Sequence, residues 1–93
     1  MKPQLNHLVV HVNDRDESAG FLAKVLGLDP PVLLGPFAQV ETGNGVGLDF
    51  VDASSPGFLG SVPDDTPRMH LAFQVTEREF DEIFGRIKAT GVE

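Results

Sequence analysis

Residues 6–12 read NHLVVHV and residues 69–75 read MHLAFQV. Each stretch is followed by an acidic turn and then by a segment with the apolar stripe of a helix. The second stretch follows the first at an offset of 63 residues, which aligns His7 with His70 and keeps the later positions in step. Because such a repeat is one supersecondary unit used twice, the sequence predicts two related modules.

Four strands are predicted in the first module from runs of β-branched and apolar residues. They are residues 5–12, 32–34, 37–42 and 46–51. Turns are predicted at 35–36, which is Gly-Pro, and at 43–45, which is Gly-Asn-Gly and is typical of a hairpin. With the helix that follows the first strand, the order is β-α-β-β-β.

Both helices begin with a capping signal. Asp14 is a good N-cap, Glu17 completes a capping box, and Gly27 ends the first helix just after Leu26. Thr76 opens the second helix in the same way, with Glu79 three residues later. The apolar positions of that helix follow at i, i+3, i+4 and i+7, and they are Phe80, Ile83, Phe84 and Ile87.

The second module is shorter than the first. Residues 28–50, which contain the last three strands of the first module, have no counterpart after Gly91. We therefore divide the chain into a first module at 1–52, a linker loop at 53–67 and an incomplete second module of strand and helix at 68–93. Two interpretations stay open: a truncated piece of a longer protein, or a short natural chain that borrows strands from a second copy, as a homodimer.

Composition excludes several classes of protein. In 93 residues, 41% are hydrophobic and 23% are charged, which is typical of one globular domain. The net charge of -7 disfavours nucleic acid and anionic membrane surfaces as partners. There is no cysteine, which excludes disulfides, thiolate zinc sites and cysteine nucleophiles. No transmembrane-length run or signal peptide is found, and we expect a cytoplasmic protein.

Strand alternation places the histidines. Side chains alternate across a strand, so His7, Val9 and His11 share the face opposite the helix, and His70 and Gln74 share the equivalent face of the second module. Equivalent faces of two repeated modules are expected to meet across a pseudo-twofold axis. We therefore expect a small-molecule pocket there, lined by Val9, His11 and Gln74.

Two of these histidines are candidate metal ligands. Imidazoles converging from the aligned positions His7 and His70 suit a borderline divalent ion, whereas the alternative is two unrelated strand histidines. His11 lies roughly 13 Å along the strand from His7, too far to bind the same ion. We favour its interpretation as a surface or pocket-rim histidine.

An acidic residue is a candidate third ligand. Asp49 alternates with Leu48 and Phe50, so it faces the expected pocket while they enter the core. It either completes a set of two histidines and one carboxylate or faces solvent on a half-exposed sheet. Glu41 is a weaker alternative ligand and fits better as a solvated residue.

These patterns resemble the vicinal-oxygen-chelate superfamily, which includes glyoxalase I, bleomycin-resistance proteins, fosfomycin-resistance transferases and extradiol dioxygenases. The matching positions are 5–12, 69–75, Asp14, Ser18, Phe21, Leu26 and Gly27. The resemblance implies an α+β fold of paired β-α-β-β-β modules that form a curved sheet funnel around a metal. In this chain the second module is truncated after its helix.

The resemblance also implies roles for individual residues. His7 and His70 match the histidine ligands of the two modules, and Asp49 falls where glyoxalase-type members carry a glutamate. The family's final glutamate ligand has no counterpart in this chain. Val9 replaces the threonine of the fosfomycin branch, which disfavours that activity.

The implied function is a metal-dependent isomerase, lyase or dioxygenase acting on a small molecule with vicinal oxygens. The divalent ion would be iron, zinc, nickel, cobalt or manganese, and no catalytic residue beyond the ligands is identified. The alternative is a metal-free small-molecule binding protein of the bleomycin-resistance type, although that branch typically lacks the two histidines.

Overall fold

The computed structural model describes residues 2–53 and 71–91. The α+β class and the β-α-β-β-β order of the first module are confirmed. The elements are β1 (His7–Val12), α1 (Arg15–Leu26), β2 (Val32–Leu34), β3 (Phe37–Glu41), β4 (Gly47–Asp52) and α2 (Glu77–Ala89). Of the linker predicted at 53–67, all but Ala53 lies outside the described residues.

All four strands form one sheet in the order β1-β4-β3-β2. The β2–β3 and β3–β4 pairs are antiparallel, as expected for strands joined by short turns, and β1 pairs with β4 in parallel. The parallel pair is possible because α1 and two further strands lie between β1 and β4 in the chain. It leaves β1 at one edge of the sheet.

The core lies between α1 and one face of the sheet. The helix contributes Ala19 and Ala23, whose small side chains let it approach the sheet closely. Leu48 and Phe50 from β4 and Val10 from β1 are buried against it, as the alternation predicts. Further members of the cluster are Ala38 and Val40, with Leu8, Val12, Leu22, Leu28 and Leu71 packed against it.

Helix α1 is capped at both ends. The Asp14 side chain accepts a hydrogen bond from the Glu17 backbone N at 3.0 Å, but the return bond of a full capping box does not form between these two described residues. A second carboxylate, Asp52 Oδ1 at the end of β4, accepts from the Arg15 backbone N at 2.8 Å. Gly27 takes the left-handed C-cap conformation with φ 68°. These caps fix the register of the helix on the sheet.

The predicted opening strand of the second module is wrong over residues 71–75, which carry no strand in the structure, while residues 68–70 lie outside the described part. In the first module β1 is held by β4. Within residues 2–53 and 71–91 no strand pairs with residues 71–75, and a strand needs such a partner for its ladder of hydrogen bonds. The second sheet of the expected funnel is therefore not formed within the described ranges.

The second helix is confirmed, but its surroundings differ from those of α1. The Thr76–Glu79 capping box is complete, and α2 packs against α1. Phe80 and Phe84 are 58% and 51% exposed, and their rings stack at a centroid distance of 6.1 Å. Among the described elements, α2 contacts α1 and no strand. Neither helix in the described part is long and apolar enough to span a bilayer.

Candidate functional site

The sheet face opposite α1, which we call the open face, carries most of the candidate residues. Side chains of paired residues on neighbouring strands point to the same side of a sheet. Three rows cross the open face from β1 through β4 to β3. They are His7–Gly47–Glu41, Val9–Asp49–Gln39 and His11–Val51–Phe37. The structure therefore brings His7, Val9, His11 and Asp49 onto one face.

The His7 imidazole is exposed and held by its neighbour. Its Nδ1 lies 2.8 Å from the Asn6 side-chain oxygen Oδ1. An amide oxygen only accepts hydrogen bonds, so Nδ1 is the donor of this contact, and Nε2 is the ring nitrogen that faces away from Asn6. Metal-binding histidines commonly donate their other N–H to an oxygen in this manner. The contact with Asn6 is therefore compatible with metal binding through Nε2 of His7.

Asp49 is the buried charged residue of the described ranges, with 7% of its surface exposed. Its solvent-facing interpretation is therefore wrong. The Gln39 side-chain Nε2 donates a hydrogen bond to Asp49 Oδ1 at 2.7 Å across the β3–β4 pair. A buried carboxylate without such a bond would be strongly unfavourable. The amide satisfies one oxygen of Asp49 without neutralising its charge.

Gly47 leaves room for this arrangement. A Cβ atom added there would lie 2.7 Å from Gln39 Nε2 and 3.4 Å from His7 Cβ. The Gln39 amide therefore occupies the space above Gly47. Neither Gln39 nor Gly47 was among the candidate site residues predicted from the sequence. The hairpin turn at 43–45 could have identified Gln39. In a hairpin centred on Asn44, residues equally far before and after the turn are paired, and Gln39 and Asp49 are such a pair.

His7 and Asp49 are residue types that commonly bind divalent metal ions. A neutral imidazole and a carboxylate on one face are ligands that zinc, iron and similar ions accept. Within residues 2–53 and 71–91, no three His, Asp or Glu side chains cluster closely enough to hold an ion. His70, the second predicted histidine ligand, lies outside these ranges, so the ligand set of His7, His70 and Asp49 stays a prediction. Glu41 is exposed, with its Oε1 4.0 Å from a Cβ added at Gly45.

The residues predicted to line the pocket lie on two sides of the sheet. Gln74 lines an open cavity of about 710 Å³ together with Leu8 and Leu48, which belong to the helix-covered face. Val9 and His11 belong to the open face. The described structure therefore does not bring Gln74 to them, because residues 71–75 are not paired into a sheet.

His11 borders a smaller hollow of about 430 Å³ at the start of α1. Asp14, Glu17 and Ser18 line the same hollow. His11 is half-buried there, at the end of β1 away from His7. His11 thus lies apart from His7 along β1, and its role as a surface or pocket-rim residue stays a prediction.

Solved structures that are similar to this chain include two oxidases and a fosfomycin resistance protein. The chain is 46% identical to "Oxidase ChaP-H1" and 45% identical to "Oxidase ChaP-H2", both with a TM-score of 0.81 and with 98% of this chain covered. It covers 66% and 65% of those two chains, about two thirds of their length. The fosfomycin resistance protein FosX from Listeria monocytogenes matches over 100% of this chain and 69% of its own, with a TM-score of 0.69.

The FosX match, at 24% identity, shows a shared fold alone. No protein-family model and no curated protein matches the chain. The two oxidases share nearly half of their aligned residues with it, over almost its whole length. By its β-α-β-β-β fold and by this similarity, the chain belongs to the vicinal-oxygen-chelate superfamily.

Proposed function

We propose that this chain supplies the metal- and substrate-binding face of an oxidase- or dioxygenase-type enzyme that acts on a small molecule with two adjacent oxygen atoms. The observation that carries the proposal is the placement of His7 and Asp49 on one face of the sheet. The names of the two oxidases favour oxidation over the isomerase and lyase chemistry of the same superfamily.

In this proposal His7 Nε2, the Asp49 carboxylate and His70 hold a divalent ion. Two histidines and one carboxylate form the ligand set typical of non-haem iron oxygenases, which makes iron the first ion to test. When bound, such an ion acts as a Lewis acid toward substrate oxygens and supports chemistry with dioxygen. Zinc, nickel, cobalt or manganese would direct the site toward isomerase or lyase chemistry.

The protein's own side chains would then orient the ligands and the substrate. Asn6, whose Oδ1 lies 2.8 Å from His7 Nδ1, would hold the ring so that Nε2 binds the ion. The partly exposed side chains of Val9 and Phe37 give the open face an apolar part beside the polar one. That division suits a molecule with its oxygens at one end and a carbon skeleton at the other.

We also propose that a second copy of the chain completes the site as a homodimer. The support is that β1, which carries His7, is an edge strand of the sheet formed by the described residues. An edge strand offers unpaired backbone groups to another chain. Mass in solution, compared with 10.0 kDa for one chain, tests this proposal.

The second candidate function is metal-free binding of a small molecule. The cavity of about 710 Å³ favours it, since Leu8, Leu48 and Phe73 give that cavity an apolar lining. Such a protein would retain no ion at His7. Metal analysis therefore separates the two candidates.

The test is metal content of the purified protein, as isolated and after chelation and reloading with Fe²⁺ or Co²⁺. Wild type is compared with His7→Ala, His70→Ala and Asp49→Asn, and His11→Ala serves as a control on the same face. The proposal expects stoichiometric ion in wild type and His11→Ala and loss in the other three. A folded wild type that neither retains nor reloads an ion overturns it in favour of the binding protein.

A further inference from the structure

Three side chains meet around a single backbone position of the open face. Gln39 and His7 both lie over Gly47, within 2.7 Å and 3.4 Å of the place where a Cβ would be. Asp49, two residues along β4, accepts the hydrogen bond from Gln39 Nε2 at 2.7 Å. The amide of Gln39 is thus packed between the two predicted ligands.

The hydrogen-bond partner of the buried Asp49 carboxylate is the neutral amide of Gln39. A buried carboxylate is usually stabilised by a cationic side chain. Neither ion pair recorded between described residues includes Asp49. Among the described residues, the neutral amide of Gln39 holds the carboxylate through Oδ1 and does not neutralise its negative charge, which can attract a metal ion. An arginine or lysine in its place would compete with a metal ion for the same charge.

We propose that Gln39 is a positioning residue that holds the Asp49 carboxylate for metal binding, and that Gly47 is required because a larger residue would displace the Gln39 amide. This inference rests on the proposed function, since it assumes that His7 and Asp49 bind the ion. It assigns to Gln39 no contact with the substrate and no part in the reaction. Its effect is on metal affinity.

The experiment measures the Kd of the chelated protein for Co²⁺ by calorimetry, with the visible absorption of bound Co²⁺ as a report of ligand geometry. Gln39→Met removes the donor and keeps the length of the side chain. Gly47→Ala leaves Gln39 in place and moves its amide. Gly43→Ala is the matched glycine control, because a Cβ there meets nothing within 4 Å, and Gln4→Met is the amide control away from the site.

We expect Gln39→Met and Gly47→Ala each to weaken Co²⁺ binding about tenfold and to alter the absorption spectrum, as loss of a residue that orients a ligand commonly does. The double variant should bind no more weakly than either single variant, because both changes remove one interaction. The two controls should retain wild-type affinity. Circular dichroism at the binding temperature checks that each variant is folded.

The inference is overturned if folded Gln39→Met binds Co²⁺ with wild-type affinity. It is also overturned if the loss of Co²⁺ affinity in the double variant equals the product of the losses in the two single variants. If Gln39→Met does not fold, Gly47→Ala decides alone, since wild-type affinity there also overturns it. Failure of the proposed function has a different result. In that case wild type binds no Co²⁺ at all, or binds it as tightly as His7→Ala does.

Discussion

The Arg86 guanidinium Nε donates a hydrogen bond of 2.9 Å to the backbone carbonyl oxygen of Val25, and so joins the two helices of the repeat. Val25 lies in the last turn of α1, where carbonyl groups lack partners within the helix. A positive charge at a helix C-terminus is also favourable to the helix dipole. This contact, between residues 61 positions apart in the sequence, helps to hold α2 to the first module.

We therefore expect Arg86→Met to lower the free energy of unfolding by about 1 kcal/mol. A fully buried hydrogen bond from a charged group contributes somewhat more than this, and the Arg86–Val25 bond is partly buried. Urea unfolding followed by circular dichroism measures the change. Arg78→Met is the control, because Arg78 is exposed and its ion pair among the described residues is with Glu82 on the same helix; its effect should stay below about 0.5 kcal/mol. Equal losses in the two variants would contradict the role of Arg86.

Asn6 offers a test of the tautomer of His7. Asn6→Ala removes the acceptor from Nδ1 and should weaken Co²⁺ binding by several-fold to about tenfold, because Nε2 is then no longer fixed as the ligand atom. Asn6→Asp keeps an acceptor and should retain or strengthen binding. Titration calorimetry gives both values. Weakened binding in Asn6→Asp to the same degree as in Asn6→Ala would show that the hydrogen bond is not the cause.

The capping box of α2 predicts a pH dependence. Hydrogen bonds from the Thr76 backbone and side chain lower the pKa of Glu79 below its usual value of 4.5. Because the pKa of Glu79 is lower in the folded chain than in the unfolded chain, the ionised carboxylate stabilises the fold at pH values above its usual pKa. This stabilisation is lost as the pH falls through the pKa that Glu79 has in the folded chain. The Thr76 backbone amide resonance, followed by NMR between neutral and acidic pH, should shift with that lowered midpoint. In Glu79→Gln, which keeps an acceptor oxygen but does not titrate, this shift should disappear.

Two phenylalanines should respond differently to truncation. Phe50 is 4% exposed in the core, so Phe50→Ala should cost about 3–5 kcal/mol of unfolding free energy. Phe80 is exposed on α2, so Phe80→Ala should cost less than about 1 kcal/mol in the single chain. Both values come from urea unfolding at low protein concentration. A large, concentration-dependent loss for Phe80→Ala would instead mean that a second copy covers this face.

The local elements were largely predictable from the sequence, because their causes are local. Strand β2 was predicted with the bounds it has, and α1 begins and ends at its predicted caps, Asp14 and Gly27. Alternation along β4 correctly placed Leu48 and Phe50 in the core and Asp49 on the other face. Each of these results depends on residues close together in the chain.

What depended on pairing between distant residues required the tertiary structure. The same apolar alternation predicted a strand at 71–75, where none forms, since a strand needs a partner and alternation does not supply one. Only the parallel pairing of β1 with β4, which lie far apart in the chain, shows that His7 lies beside Gly47 and Val9 beside Asp49. The sequence by itself thus determined which side chains share a face, because that follows from the strand period. The tertiary structure decided which of them touch, because contacts across a sheet depend on the register between strands far apart in the chain.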